Sequence, residues 1–371
     1  LAPEADSITM SDVALKAGDT STLTIVFSET VAGFASADDV SCPTGSLAVM
    51  SISSGSTWTG TFTPTDDIDD SANVCTLGTD YTDAVGNTGT AATSANYIVD
   101  GVDPDVSTVS MSDSALKTGD TSTLTIVFSE AVAAFASSAD VTCGSGSLAT
   151  MSSLDDITWT GTFTPTADTE VAVNVCAVGT GYTDAYGNGV GEAQSTANYE
   201  VETESPTVTS ITFTDTTLIE GETSLVTIVF SEAVAAFTND DFTIVNGGLS
   251  AVADSGDATT WTTTYTPTAD VSDITNVLTI GTGYTDTAGN TGAGGTSANY
   301  IVDGVDPEIT SVGMGDSTLI EGETTTLTIV FSEAVDAFAS GDDVTCGSGS
   351  LAAMTSLDDI TWTGTFTPTA D

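Results

Sequence analysis

Acidic residues gather around three prolines that recur along the chain, Pro104, Pro206 and Pro307. Carboxylate oxygens are the ligands that Ca²⁺ prefers, and the ion takes roughly six to eight oxygens. Because carboxylates crowded into a short connector repel one another, we expect these groups to bind Ca²⁺. A solvated acidic connector is the other interpretation. The predicted ligands in the connectors are Asp100, Asp103, Asp105, Glu202, Glu204, Asp303, Asp306 and Glu308.

Two further positions in each repeating segment offer oxygen ligands. One is a Glu that directly follows an apolar strand, and the other is the Asp and Asn of an Asp-x-x-Gly-Asn motif. In a seven-stranded sandwich the connector meets the upper loops of the next domain, so these side chains should face it. The Glu could instead accept backbone hydrogen bonds, and the motif could be only a turn with Gly and Asn at positive φ. These weaker candidates are Glu29, Glu130, Glu232, Glu333, Asp83, Asn87, Asp184, Asn188, Asp286 and Asn290.

One acid-rich loop stands apart from these groups. It contains Asp66, Asp67, Asp69 and Asp70, and the second repeat has no loop of equal charge. We therefore expect this loop only to be solvated. None of the acidic spacings matches an EF-hand.

Catalysis is the other chemistry that carboxylates could support. The chain has no His, and its only basic residues are two lysines. It therefore lacks most of the groups that activate a nucleophile or stabilise an oxyanion. We do not expect an enzyme.

The landmarks that surround these acids recur at a fixed interval. The string VFSE begins at Val26 and returns after steps of 101, 102 and 101 residues, and a Trp in each segment keeps the same steps. A unit of this length can enclose its own hydrophobic core, unlike the short units of a solenoid. We predict four tandem domains, at residues 1–103, 104–205, 206–306 and 307–371, the last lacking its final two strands.

Composition restricts the partners of such an array. There are 53 acidic residues against 2 basic ones, a formal net charge of −51, which excludes nucleic acid and disfavours anionic membranes. No apolar stretch approaches the roughly 20 residues that span a bilayer, so no membrane insertion is expected in this segment. Hydrophobic residues make up 40% of the chain, so it should fold. We expect an internal piece of a longer chain in a saline exterior.

Cysteines come in pairs that are present or absent together. Cys42 and Cys75 lie 33 residues apart, as do Cys143 and Cys176, whereas the third repeat has Ile244 and Leu278 at the aligned positions. Paired loss with apolar replacement predicts side chains that touch, and therefore the disulfides Cys42–Cys75 and Cys143–Cys176 in an oxidising compartment. Reduced core cysteines are the other interpretation.

Apolar residues within a repeat alternate with period two. In STLTIVFSE, Leu23, Ile25 and Phe27 share one face, and in TWTGTFT the Trp and Phe do the same. Further segments at 7–10, 39–42, 47–52, 72–77 and 96–99 give seven short strands between Gly, Pro, Asp and Ser turns. The pattern predicts an all-β, immunoglobulin-like seven-stranded β-sandwich in each repeat, with the Trp in its core.

The strings VFSEAV, TWTGTFTPTAD and GTGYTDAYGN, with a closing ANY before an acidic Pro connector, resemble the bacterial immunoglobulin-like tandem repeats of giant surface adhesins. Similar repeats form the extender region of RTX-type adhesins, including an ice-binding one. The resemblance covers the three complete units and the part of the fourth. It implies sandwiches in series with connectors stiffened by calcium.

The resulting functional hypothesis is an extracellular extender at the cell surface, in which neighbouring repeats of the chain are the partners and Ca²⁺ stiffens the connectors. It would project a terminal binding module from a bacterium. The alternative hypothesis is a subunit of a self-assembling extracellular fibre or sheath, in which other copies of the chain are partners through strand complementation.

Overall fold

A computed structural model describes residues 1–370, which form two compact units, Leu1–Glu204 and Ser205 onward. Each unit contains two of the repeats that the sequence predicts. The last residue, Asp371, belongs to the predicted fourth domain and lies outside the described residues.

The first repeat consists of short strands, and its central strand β3 alternates strictly between buried and more exposed side chains. This period of two places one face of the strand in the core. The elements are β1 (Ala5–Met10), β2 (Ala14–Lys16), β3 (Ser21–Phe27), β4 (Val31–Ala32), α1 (Ser36–Asp39), β5 (Val40–Ser41), β6 (Gly45–Leu47), β7 (Ser51–Ser54), β8 (Thr57–Pro64), β9 (Asp69–Asn73), β10 (Thr76–Leu77), β11 (Thr82–Asp83), β12 (Ala92–Thr93) and β13 (Tyr97–Asp100).

Two layers of sheet enclose the core of this repeat. One layer has the order β1-β3-β8-β6, with β7 also paired to β8. The facing layer combines β2-β13-β9 with β12-β10-β5. Strand β2 runs parallel to the last strand β13, and β9 runs antiparallel to it on the other side. The last strand is therefore held between two neighbours at the end from which the connector leaves.

The second repeat reproduces this arrangement. Its elements are β14 (Val106–Met111), β15 (Ala115–Leu116), β16 (Ser122–Phe128), α2 (Ser137–Asp140), β17 (Val141–Cys143), β18 (Gly146–Leu148), β19 (Ser152–Ser153), β20 (Thr158–Pro165), β21 (Glu170–Asn174), β22 (Cys176–Val178), β23 (Gln194–Ser195) and β24 (Tyr199–Glu202).

The third repeat does so too, with a 3₁₀ turn at Asn239–Asp241 in place of the short helix. Its strands are β25 (Val208–Phe213), β26 (Thr217–Ile219), β27 (Ser224–Phe230), β28 (Val234–Ala235), β29 (Phe242–Thr243), β30 (Gly247–Leu249), β31 (Ala253–Asp254), β32 (Thr260–Pro267), β33 (Ser272–Asn276), β34 (Thr279–Ile280), β35 (Thr285–Asp286), β36 (Gly295–Thr296) and β37 (Tyr300–Asp303).

In the fourth repeat the described residues form one sheet, ordered β38-β39-β42-β40 with β41 also paired to β42. Its elements are β38 (Ile309–Met314), β39 (Thr325–Phe331), α3 (Ser340–Asp343), β40 (Gly349–Leu351), β41 (Thr355–Ser356) and β42 (Thr361–Pro368). None of the helices among residues 1–370 has the length and hydropathy needed to span a bilayer.

The predicted all-β fold class is confirmed, with three local corrections. The predicted strand at 72–77 is divided between the end of β9 and β10, which belong to different sheets. The predicted strand at 39–42 begins one residue later, because Asp39 ends the helical turn α1 and its carboxylate accepts the amide of Ala35 at 2.7 Å. The predicted strand at 47–52 is two strands, β6 and β7, which both pair with β8. The tryptophans are half-buried at the edge of each core, and Trp58 packs edge-on against Phe34.

The structure contains both disulfides that the cysteine pattern predicts, Cys42–Cys75 and Cys143–Cys176. In the second repeat the two cysteines face each other in register on β17 and β22. In the third repeat Ile244 and Leu278 take the aligned positions, and both pack in its hydrophobic core.

Candidate metal centre

Three carboxylates converge where the first repeat meets the second. Asp100 ends β13 and pairs in register with Asp69 at the start of β9, so both side chains lie at the same edge of the sheet. Glu130 follows β16 of the second repeat and completes the group. One oxygen from each carboxylate lies within 4.8 Å of the others. Strand register and the connector together build a group of oxygen ligands suited to a hard cation.

The electrostatics of this group favour a bound positive charge. Loss of solvation, together with a hydrogen bond and the negative charge of the nearby Asp69, raises the pKa of Asp100 to about 7. Loss of solvation also raises the pKa of Glu130, with contributions from Asp184 and Asp69. Carboxyl groups whose charged forms are disfavoured in this way are stabilised when a cation comes between them.

The Asp-x-x-Gly-Asn motif of the second repeat is a tight turn held by its own carboxylate. Both oxygens of the buried Asp184 are engaged, since Oδ1 accepts the amides of Gly187 and Asn188 at 2.7 and 2.9 Å. Oδ2 accepts Asn188 Nδ2 at 2.7 Å. The turn interpretation of the motif is therefore realised, and Gly187 takes the positive φ of 88° that it requires.

This turn also touches the connector of the first repeat. Asn188 Nδ2 donates to the carbonyl oxygen of Asp100 at 2.9 Å and to its carboxylate at 3.2 Å. Lys16, at the end of β2, reaches the same turn, and its Nζ donates to the carbonyl oxygen of Gly187 at 2.6 Å. The side-chain amide of Asn188 and the ammonium group of Lys16 thus join the two repeats, in addition to the connector.

The second unit contains a comparable junction between the third and fourth repeats. Asp303 ends β37 and Glu333 follows β39. Both line a surface cleft of ≈ 280 Å³ together with Ile219, Asp306 and Pro307. Asp303 Oδ1 and Glu333 Oε1 are buried and have no hydrogen-bond partner in the structure. A desolvated anionic oxygen without a donor is costly, and a cation beside these atoms would lower that cost.

The four repeats match a known protein family. The family described as bacterial Ig-like domain matches residues 1–99, 100–201, 202–302 and 303–371. The chain belongs to this family. No curated protein matches it significantly.

Solved structures of other Ig-like arrays match at low identity. Invasin, titled a bacterial integrin-binding protein, is 14% identical over 100% of this chain and 74% of its own, with a TM-score of 0.28. The adhesin InvE of Yersinia pseudotuberculosis is 14% identical over 96% and 72%, with a TM-score of 0.19. The I9–I11 tandem of titin is 9% identical over 81% and 97%, with a TM-score of 0.28.

Two pairs of predicted ligands lie at junctions between Ig-like repeats. They are Asp100 with Glu130 in the first unit and Asp303 with Glu333 in the second. Asp306 lines the cleft of the second unit. The other connector acids, Asp103, Asp105 and Glu308, have exposed side chains. The amides of Asp105 and Glu308 bond serine hydroxyls at 2.9 Å, which fixes the connector backbone.

The predicted ligands around Pro206 belong to different units. Glu202 ends β24 of the first unit, and its carboxylate accepts the amide of Glu204 at 3.0 Å. In the second unit Glu232 follows β27 and is half-buried. Asp286 is buried there and accepts the amide and the side-chain Nδ2 of Asn290, both at 2.8 Å.

The corresponding positions of the first repeat lie outside the two described junctions. Glu29 is exposed, and Asp83 is buried in its turn, where it accepts Asn87 Nδ2 at 2.6 Å. That hydrogen bond lowers the pKa of Asp83.

Asp69 is the junction residue that sequence reasoning missed, because we expected its loop only to be solvated. The structure corrects this expectation, since Asp69 is paired with Asp100. The signal that could have found it is antiparallel register: an acid that begins one strand lies beside the acid that ends its neighbour. The second repeat repeats the pairing with Glu170 opposite Glu202.

Proposed function

We propose that this segment is a calcium-stiffened extender of a large bacterial surface adhesin, outside the cell. Membership of the bacterial Ig-like family supports a structural role, and the two disulfides suit an oxidising exterior. The net charge of −51 suits a medium rich in cations. The terminal binding module that such an extender projects is part of the proposal.

The observation that carries the calcium part is the convergence of Asp69, Asp100 and Glu130 within 4.8 Å. At each junction inside a unit, one acid ends the last strand of the first repeat, and another lies two residues after β16 or β39 of the next repeat. An ion held by both repeats would fix the angle between them, because a bend would pull its ligands apart. The unpartnered oxygens of Asp303 and Glu333 support the same arrangement in the second unit.

The test is calorimetric titration of the whole chain with calcium chloride after chelation, paired with thermal unfolding. The expected result is saturable binding, with a stability gain of about 2.7 kcal/mol at roughly 100-fold excess over Kd. Removing ligands with Asp100→Asn and Glu130→Gln together should abolish one class of sites.

The matched control removes the same charge from acids outside the group, with Asp66→Asn and Asp67→Asn. Their carboxylates are exposed, so calcium binding should be unchanged. The proposal fails if calcium neither binds nor raises the unfolding temperature, or if the ligand variant and the control bind the ion equally.

A further inference from the structure

The two described junctions differ at one position that faces the connector strand. In the first repeat Lys16 of β2 pairs in parallel register with Asp100 of β13. In the third repeat Ile219 of β26 pairs in the same way with Asp303 of β37. The backbone is therefore equivalent, and the two junctions differ here by an ammonium group against an isoleucine side chain.

We propose that the hydrogen bond from Lys16 to the second repeat holds the first two repeats in alignment without metal. This proposal does not depend on the calcium sites, because the acceptor is a backbone carbonyl oxygen.

The contact made by Lys16 supports this role. Its Nζ lies 2.6 Å from the carbonyl oxygen of Gly187, a residue 171 positions away in the next repeat. The acceptor is a backbone carbonyl oxygen, so the contact needs no metal. A hydrogen bond from a charged donor is stronger than one between neutral groups. Lys16 thus ties the base of the first repeat to the turn of the second.

A lysine also stands at the aligned position of the second repeat. Lys117 follows β15 of the second repeat, and its Nζ bonds Asp120 of the same repeat at 3.3 Å. These are the two basic residues of the chain. The role proposed for Lys16 therefore depends on its partner Gly187, and Lys117 provides a control of equal charge.

The second unit has no lysine at this position. Ile219 is 54% exposed and lines the cleft that contains Asp303 and Glu333. An isoleucine side chain offers no hydrogen-bond donor, so this junction lacks the contact that Lys16 makes in the first unit.

The experiment measures distance distributions between spin labels in the whole chain by pulsed electron resonance. Labels carried on unnatural amino acids avoid the disulfides. Val49 and Val173, 82% and 75% exposed, report on the first two repeats. Ile274 and Leu357, 69% and 107% exposed, report on the third and fourth.

In chelator we expect a narrow distribution between the first and second repeats. Lys16→Met should broaden it, and the ratio of aligned to bent molecules should fall about tenfold, the amount that one hydrogen bond to a charged group supplies. Lys16→Arg should keep the narrow distribution, and Lys117→Met should leave it unchanged. Unchanged circular dichroism will show that each variant is folded.

Two results overturn the inference: a broad distribution between the first two repeats of the unmodified chain in chelator, or a narrow one in Lys16→Met. If calcium leaves the third and fourth repeats unaffected while Lys16→Met broadens the first pair, the calcium proposal fails and the role of Lys16 stands.

Discussion

The side chain of Asn188 donates to the carbonyl oxygen of Asp100 at 2.9 Å, and this bond fastens a turn of the second repeat to the last strand of the first. The same Nδ2 also bonds the carboxylate of Asp184 inside the turn at 2.7 Å. One amide group therefore organises the turn and anchors it to the neighbouring repeat. Sequence alone assigns only the first of these roles.

Replacing this amide should weaken the second repeat and its junction together. Asn188→Ala removes donors from two buried or half-buried acceptors, and we expect a loss of about 1–3 kcal/mol in the free energy of unfolding. The control is Asn87→Ala, because Asn87 makes the same bond within its turn but reaches only the carbonyl oxygen of Leu1, at 3.5 Å. Differential scanning calorimetry will compare the two. Equal losses would show that the bond to Asp100 contributes nothing.

The raised pKa of Asp100 predicts how stability depends on pH in the absence of calcium. The pKa rises from an ordinary value of 3.8 to about 7 in the folded chain, so between these values the folded state binds more protons than the unfolded state. Stability from this group is therefore fully present below pH 3.8 and is lost as the pH rises through 7.

Chemical denaturation in chelator at a series of pH values will measure this dependence, and Asp100→Asn should flatten the profile between pH 4 and pH 7. Calcium should reverse the trend, because its carboxylate ligands bind it in their deprotonated form. The prediction is contradicted if the chain in chelator becomes more stable between pH 5 and pH 7 and Asp100→Asn abolishes that gain in stability.

Much of the fold could be predicted from local pattern. Strict alternation in STLTIVF identified β3, and paired cysteines identified which strands touch, because both signals depend on residues close in sequence or present in pairs. The helical turn at Ser36–Asp39 was missed, since four residues are too few to show a helical period.

The junctions were only partly predictable because they depend on register. Asp100 and Glu130 follow from position relative to the connector, whereas Asp69 lies beside Asp100 only through antiparallel pairing of distant segments. The contact between Lys16 and Gly187 is harder still to predict from sequence, because it depends on the angle between two repeats. Local sequence carries little information about that angle.

Reduction of the disulfides should destabilise the first two repeats and leave the third unchanged. Breaking Cys42–Cys75 removes the cross-link of a loop of 33 residues, which the chain-entropy relation values at about 3.7 kcal/mol. The third repeat has Leu278, fully buried, at the aligned position and should be unaffected. Hydrogen exchange followed by mass spectrometry, with and without a phosphine reductant, will resolve the repeats individually.

The first two repeats are therefore expected to exchange faster after reduction, and the third to keep its protection. Cys42→Ala with Cys75→Ala should reproduce the effect in the first repeat without reductant. If the third repeat loses protection equally, the cause is a general effect of the reagent on the chain.

A buried tyrosine in the second repeat allows the contribution of a single hydroxyl group to stability to be tested. Tyr182 is 1% exposed, and its hydroxyl has no hydrogen-bond partner in the structure. The equivalent Tyr81 of the first repeat donates to the carbonyl oxygen of Thr90 at 2.7 Å. The turn of the second repeat is one residue longer between its two tyrosines, at 182 and 199 against 81 and 97, which moves the acceptor away.

Removing each hydroxyl group should therefore change the free energy of unfolding differently. Tyr81→Phe loses a satisfied hydrogen bond and should cost about 1 kcal/mol, whereas Tyr182→Phe removes an unsatisfied buried group and should be neutral or stabilising. Both variants keep the ring and its packing against Phe27 or Phe128. Urea denaturation of each variant gives the comparison. A loss in Tyr182→Phe as large as that in Tyr81→Phe would reveal an ordered water molecule bound to the hydroxyl group.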